Sequence, residues 1–240
     1  MDFANADEIL SQLREVERQR TLREAEPGLA ARVEALKAYQ QRRFARTYAD
    51  LLATPRYAAA TRFFLEELYG PGDYTRRDAQ FARVVPTLTR LFPAEVVATV
   101  GRLALLHAIS ERLDTRMGQL LGRDQPDAAS YRRAWQASGE AALRQQQIDL
   151  CLAVGESLEQ LTRKPLLRQA LRMMRGPATA AGMGELQRFL ESGFDTFREM
   201  RGAGEFLQTV RRREEALAQA LFAAAPAACP TGDDPLGQLP

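Results

Sequence analysis

The chain has 240 residues, of which 45% are hydrophobic and 27% are charged, so it is long enough for one large or two small domains and has an ordinary globular composition. A formal net charge of +2 excludes a global electrostatic field that would draw the chain to nucleic acid or to a membrane surface. Since no apolar run approaches the roughly 20 residues of a membrane helix, we expect neither a nucleic-acid partner nor a membrane.

The cysteine pattern and the N-terminal sequence both bear on location. Cys151 and Cys229 lie far apart and match no metal or redox spacing, so a reducing compartment is the simplest interpretation. The chain begins MDFANADEIL, which lacks the basic start and apolar run of a signal peptide. These features predict a cytoplasmic protein.

Helical periodicity extends over almost the whole chain, and strand alternation is convincing nowhere. A charged first helix ends near Pro27, and a second helix covers about 29–51. A third begins at Thr54-Pro55, where a hydroxyl cap precedes a proline in the first turn. The later predicted elements are, in order, a helix from Thr75 bent at Pro86, the longest apolar helix at 93–121, a short helix capped by Asp127, a helix at 140–162, a short helix after Pro165, a break at Gly176-Pro177, and two helices up to about residue 222.

This pattern predicts the all-α class, with a single multi-helix, bundle-like domain, a charged N-terminal helix and a disordered C-terminal tail. We assign residues 1–26 to the N-terminal helix and 27–222 to the helical domain. Residues 223–240 form the tail, because their composition changes to Ala, Pro, Cys, Gly and Asp.

Residues 63–78 read FFLEELYGPGDYTRRD and admit two interpretations. In the first they form a corner, where Gly70 and Pro71 end one helix and Asp78 lies in the first turn of the next. In the second they form a polar rim, where an arginine fork binds an acidic peptide or a phosphate. The candidate binding residues of that rim are Tyr69, Asp73, Tyr74, Arg76, Arg77 and Asp78.

His107 is the single histidine and lies on or beside the apolar face of the longest helix. One histidine cannot build a two-histidine zinc motif or the paired Glu-x-x-His motifs of di-iron bundles within one chain, so we expect no metal and no cofactor. His107 is interpreted as a core-edge residue bonded to a carboxylate or a backbone carbonyl, or as an axial haem ligand. We include it among the candidate binding residues.

The common enzyme motifs do not occur in the chain: it has no P-loop, no dinucleotide-binding glycine motif after a strand, and no Gly-x-Ser-x-Gly elbow. The sequence therefore names no catalytic residue and leans against an enzyme without deciding the question. If the protein is an enzyme, the candidate acid–base groups are the carboxylates Glu66, Glu67, Asp73 and Asp78.

A second dense stretch runs from Gly176 to Glu215 and combines small residues with phenylalanines. The small residues allow another helix to approach closely, either within the chain or across a dimer or partner groove. They are Ala178, Ala181, Gly182, Gly184 and Gly193, and the phenylalanines are Phe189, Phe194, Phe197 and Phe206.

These stretches resemble a family of bacterial proteins of uncharacterised function. The similar segments are FFLEELYGPGDYTRRD, LTRLFP, ISERLD, MRGPATAAGMGELQRFLESGFDTFREM and FLQTVRRRE, which together span roughly residues 55–222. The resemblance implies a helical unit without an established activity, and it contributes no catalytic residue.

The sequence thus predicts an uncharacterised cytoplasmic helical protein that acts through protein–protein contacts, in a scaffold or regulatory role, with a protein partner or as a homodimer. The alternative is a small-molecule binding or sensing protein with an apolar pocket between its helices.

Overall fold

The computed structural model describes residues 5–68, 74–122, 125–223 and 234–240. Within these ranges the chain is all-α and contains no strand, as the sequence predicts. The α-helices are Ala6–Ala25 (α1), Leu29–Thr47 (α2), Ala49–Ala53 (α3), Pro55–Phe63 (α4), Thr75–Leu91 (α5), Ala94–Leu121 (α6), Ala128–Ser138 (α7), Ala141–Thr162 (α8), Pro165–Ala180 (α9), Gly184–Glu199 (α10) and Gly204–Phe222 (α11).

Local signals explain several helix ends. Asp127 caps α7 in a capping box, because its carboxylate accepts from the Ser130 amide while the Ser130 hydroxyl accepts from the Asp127 amide. Pro55 lies in the first turn of α4 as predicted, but the predicted cap by the Thr54 hydroxyl is wrong, because that hydroxyl donates to the carbonyl of Asp50 instead.

Helix α6 is the central element, as its apolar sequence predicts. It packs against α1, α2, α7 and α8. Most of the interior falls into three groups of buried side chains. The first group joins α2–α4 to α8, α10 and α11 around Phe64, Phe197 and Phe206. The second group joins α2, α6, α7 and α11 around Tyr39, Tyr131 and Trp135. The third group joins α1, α5 and α6 around Ile9, Val85 and Val97.

The charged helix α1 lies against α5 and α6. Ile9, Leu13 and Val16 bury one face of it, while Arg20 and Arg23 extend the same contact with charged groups. The division of the chain at residue 26 stays a prediction. Residues 224–233 of the predicted tail lie outside the described residues, and residues 234–240 contain a short 3-10 helix whose neighbour Leu239 is buried in the second group.

Three features of the backbone differ from the sequence expectations. The helix predicted over 29–51 is interrupted at Tyr48, whose ring is buried against Phe44. Helix α4 continues into a π-helix at Phe64–Leu68, and this wider turn buries Phe63 together with Phe64. The break predicted at Gly176-Pro177 is wrong, because α9 runs to Ala180 with both residues exposed, so solvent replaces the hydrogen bond that proline cannot donate.

The small residues after residue 176 have two kinds of environment in the structure, one closely packed and one open. Ala178 is buried, and Gly193 lies close to the Phe63 ring, since a Cβ there would come within 3.1 Å of its Cζ atom. At Gly182 and Gly184 an added Cβ would meet no atom within 4 Å. Close packing within the chain therefore accounts for some of these residues. No helix in the described ranges combines the length and the apolar composition needed to cross a membrane.

Gly118 lies at a close approach of α6 to α2, and the variant Gly118→Ala tests this packing. The added Cβ would lie 2.6 Å from Cγ2 of the buried, β-branched Val33 and 3.1 Å from Cδ1 of Leu29. We expect a loss of about 1–3 kcal/mol in the free energy of unfolding, measured with urea, because overpacking outweighs the gain in helix propensity. Gly176→Ala is the control: nothing lies within 4 Å, so it should stabilise by up to about 1 kcal/mol. Equal effects at both sites would contradict the close packing.

Candidate functional site

The structure separates the residues that the sequence proposed as a polar rim. Tyr69 and Asp73 lie outside the described residues. Arg76 points to solvent with its side chain 78% exposed and pairs with Glu185 at 3.2 Å. Tyr74, Arg77, Asp78 and the distant His107, in contrast, line one internal cavity. The structure therefore brings four of the proposed residues to a single place and leaves Arg76 outside it.

The cavity has a volume of about 150 Å³ and lies where the three groups of buried side chains meet, between α2, α5, α6, α7, α8, α10 and α11. One end is apolar and partly exposed. It is formed by Phe81, Val84, Leu103, Leu106, Phe189 and Leu190. The middle is polar, and its wall contains Lys37, Gln40, Ser110, Glu111, Asp114 and Gln147.

His107 and Asp78 form the polar edge of this cavity nearest α5. Nε2 of His107 lies 2.9 Å from Oδ2 of Asp78, and Arg20 of α1 binds the same carboxylate oxygen. Burial alone would raise the pKa of Asp78, but the hydrogen bonds from His107 and Arg20 outweigh it, so this pKa lies below its usual value. The interpretation of His107 as a histidine bonded to a carboxylate is confirmed, and the partner comes from another helix.

Glu111 lies one turn after His107 and is bound by two cations. Nζ of Lys37 donates to its Oε1 at 2.6 Å, and Nη1 of Arg23 donates to its Oε2 at 2.6 Å. Arg23 also donates to the Glu111 carbonyl and to the Thr115 hydroxyl, which fixes the guanidinium. Although burial acts to raise it, the pKa of Glu111 falls to about 2 because of the charges of Lys37 and Arg23.

Asp114, one further turn along α6, has a different environment. Gln40 Nε2 donates to its Oδ1 at 3.1 Å, and no basic side chain in the described ranges forms an ion pair with it. Burial raises the pKa of Asp114, and the neighbouring Glu111 acts in the same direction. The pKa values of two carboxyl groups on one helix face are thus displaced in opposite directions, that of Glu111 downwards and that of Asp114 upwards.

The far side of the cavity is formed by α7, α8 and α11. The guanidinium of Arg144 lies 4.3 Å from the centroid of the Trp135 ring and donates to Gln147 at 3.1 Å. Arg43 donates to Oε1 of Glu214 at 2.5 Å. The site is therefore a set of fixed charges around an open space, able to orient a polar group and to exchange a proton with it.

The carboxylates proposed for acid–base chemistry are not gathered in this cavity. Asp78 lines it, whereas Glu66 is exposed and Glu67 accepts from Arg77 at the surface. Asp73 lies outside the described residues. No catalytic pair of the proposed carboxylates is thus formed within the described residues. These ranges also contain no group of three or more His, Cys, Asp or Glu side chains that could hold a metal ion.

The sequence did not single out Lys37, Gln40 or Arg144. A signal for the polar wall was present on α6, where His107, Glu111 and Asp114 follow one another at helical spacing next to apolar positions. The partners on α2 and α8 gave no comparable signal, since a polar residue on an amphipathic helix is ordinarily exposed.

Comparison with models of known protein families shows which family the chain belongs to. A family model described as a domain of unknown function (DUF8198) matches residues 19–228. The chain belongs to this family. The expected membership in a family without assigned function is confirmed, while the bacterial origin stays a prediction. The part matched by DUF8198 includes every cavity residue named above, together with Arg20 and Arg23 of α1. No curated protein and no solved structure matches the chain.

Proposed function

We propose that this protein binds an amphipathic small molecule in its internal cavity and acts as a carrier or a sensor of that molecule. The observation that carries the proposal is the polar wall: Lys37, Glu111, Asp114 and Asp78 lie around an open space where the three groups of buried apolar side chains meet.

The energetics of this wall support a functional role. Buried ion pairs rarely stabilise a fold more than well-packed apolar residues of similar volume do, because desolvation offsets their attraction. Burial of the Asp114 carboxyl opposes its ionisation and raises its pKa, and the charge of the nearby Lys37 offsets only part of this effect. Departures of this kind from good core packing are typical of binding and active sites.

The apolar end supports an amphipathic ligand and a route of entry. Phe81, Leu103 and Phe189 line the cavity, and each is partly exposed, so this end is accessible from solvent. A volume of about 150 Å³ accommodates a benzene-sized group. A ligand with one apolar group of this size and one polar head would contact both parts of the wall.

Native mass spectrometry with a blocked cavity tests the proposal. Protein purified without refolding should carry a reproducible mass in excess of the chain. Leu103→Trp should abolish the excess mass, because Leu103 lines the cavity and indole would fill its apolar end. The control is Leu91→Trp, since Leu91 is an exposed leucine outside the cavity, and this variant should keep the excess mass. A wild-type protein with no excess mass would contradict the proposal.

A second candidate is the protein–protein contact, in a scaffold or regulatory role, that the sequence predicts. It is favoured by α9, where Leu166 and Met173 lie two turns apart on one face and are 77% and 71% exposed. The same helix contains Arg168, Arg172 and Arg175 and no acidic residue. Sedimentation equilibrium across a range of concentrations would detect a homodimer, and a monomer at all concentrations would exclude one. We also propose a cytoplasmic location, which the sparse cysteine content supports.

A further inference from the structure

The charged residues around the cavity indicate which kind of ligand head group the polar wall would bind. This inference rests on the proposed function. Three carboxylates that line the cavity each have an arginine partner from the protein. Arg20 binds Asp78, Arg23 binds Glu111 and Arg43 binds Glu214. Lys37 is then a second cation on Glu111, which carries a single negative charge.

Asp114 and Arg144 also line the cavity and enter the count of charges. The Asp114 carboxyl accepts a hydrogen bond from Gln40, and the Arg144 guanidinium lies beside the Trp135 ring. Five cations (Arg20, Arg23, Lys37, Arg43 and Arg144) then accompany four carboxyl groups (Asp78, Glu111, Asp114 and Glu214), so 5 − 4 leaves one positive charge in excess even when every carboxyl is ionised. A ligand with one negative charge would balance it.

Unsatisfied hydrogen-bonding atoms in cavity-lining residues point in the same direction. Nε1 of Trp135 and Nε of Arg43 are buried and have no acceptor among the described residues. Both residues are more than nine-tenths buried, at 7% and 5% exposure. Both atoms are donors only. The unsatisfied oxygens that can accept, the Thr47 hydroxyl and the Gln238 amide oxygen, belong to residues away from the cavity. A carboxylate offers acceptors without bringing a donor.

We propose that the cavity binds a small monocarboxylic acid with an apolar tail, with its carboxylate at the polar wall and Lys37 as the counter-ion. The tail lies among Phe81, Leu103 and Phe189 at the partly exposed end of the cavity. Lys37 is suited to this role because Arg23 alone can hold Glu111 in place when the ammonium group turns to a ligand.

Matched acids and amides test the charge of the head group. Hexanoate, octanoate and phenylacetate are titrated into the protein beside hexanamide, octanamide and phenylacetamide. Binding is followed by calorimetry and by the fluorescence of Trp135, which is the only tryptophan and lines the cavity. We expect the acids to bind at least about tenfold more tightly than their amides, since charge-assisted hydrogen bonds are the stronger ones.

The two lysines of the chain, Lys37 and Lys164, provide a matched pair of variants. Lys37→Met should remove the preference for acids, so that each acid binds no more tightly than its amide, and Lys37→Arg should retain the preference. Lys164→Met removes the same charge from an exposed residue that pairs with Glu95, so it should behave as the wild type. These variants separate a counter-ion from a general effect of net charge.

The outcomes distinguish this inference from the proposed function. Amides that bind as tightly as acids, or an acid preference that survives Lys37→Met, would overturn the carboxylate and leave the binding function standing. If neither series binds and the purified protein carries no excess mass, both proposals fail. The comparison of acids with amides on the wild-type protein decides the question even if the Lys37→Met chain does not fold.

Discussion

Glu111→Gln is expected to lower the free energy of unfolding by about 3–5 kcal/mol at pH 7, because it leaves the buried Arg23 and the half-buried Lys37 without their anion. Glu111 is 4% exposed, and its two oxygens accept from Lys37 and Arg23. Glutamine keeps the shape, but its amide group presents donors to one of these cations. Urea denaturation measures the change.

The control is Glu191→Gln, the same substitution in a surface ion pair. Glu191 binds Arg175 at 2.7 Å, and the side chain of Arg175 is 65% exposed, so its loss should cost no more than about 1 kcal/mol. Similar losses at both positions would show that the Glu111 site is solvated.

We also expect Glu111→Gln to change how the free energy of unfolding depends on pH in acid. Because the pKa of Glu111 is lowered from 4.5 to about 2, its ionised form stabilises the fold fully above about pH 4.5. That contribution is lost as the pH falls towards 2. The stability of Glu111→Gln should therefore fall less steeply than that of the wild type over this interval.

Phe197→Ala should also cost about 3–5 kcal/mol, because it removes a ring from the largest group of buried aromatic side chains. Phe197 is 1% exposed and its ring centroid lies 6.3 Å from that of Phe64. This prediction separates the two interpretations of the stretch after residue 176, since a phenylalanine reserved for a partner would be dispensable in the monomer.

Phe92→Ala serves as the comparison for Phe197→Ala. Phe92 ends α5 and is 37% exposed, so we expect a loss of about 1 kcal/mol or less. Thermal or urea unfolding of both variants gives the difference. A Phe197 variant as stable as the Phe92 variant would favour a partner groove in the C-terminal half.

The sequence predicted those parts of the fold that are determined by residues close together along the chain. The cap at Asp127, the start at Pro55 and the long apolar helix α6 are local signals, and the structure has all three. The continuation of α9 through Pro177 was missed because it depends on exposure of that turn, and exposure is a property of the assembled protein.

The candidate site was predicted only in part because it is assembled from distant positions. His107 was expected to bond a carboxylate or a backbone carbonyl, and its partner Asp78 lies 29 residues away on another helix. Lys37 reaches Glu111 across 74 residues, and Arg23 reaches it across 88. No pattern within one helix indicates such pairs, because spacing shows which face of a helix a charged residue lies on but not which residue of another helix it binds.

The ion pairs of Arg20 and Arg23 in α1 affect how the fold unfolds locally. Terminal helices ordinarily fray with little cost, since few interactions hold them. Detaching α1 would leave the carboxylate of Asp78 without Arg20 and that of Glu111 without Arg23. The excess positive charge of the interior would then become an excess of negative charge. The first helix is therefore part of the same cooperative unfolding unit as the cavity, and the sign of the charge that the cavity presents depends on its remaining docked.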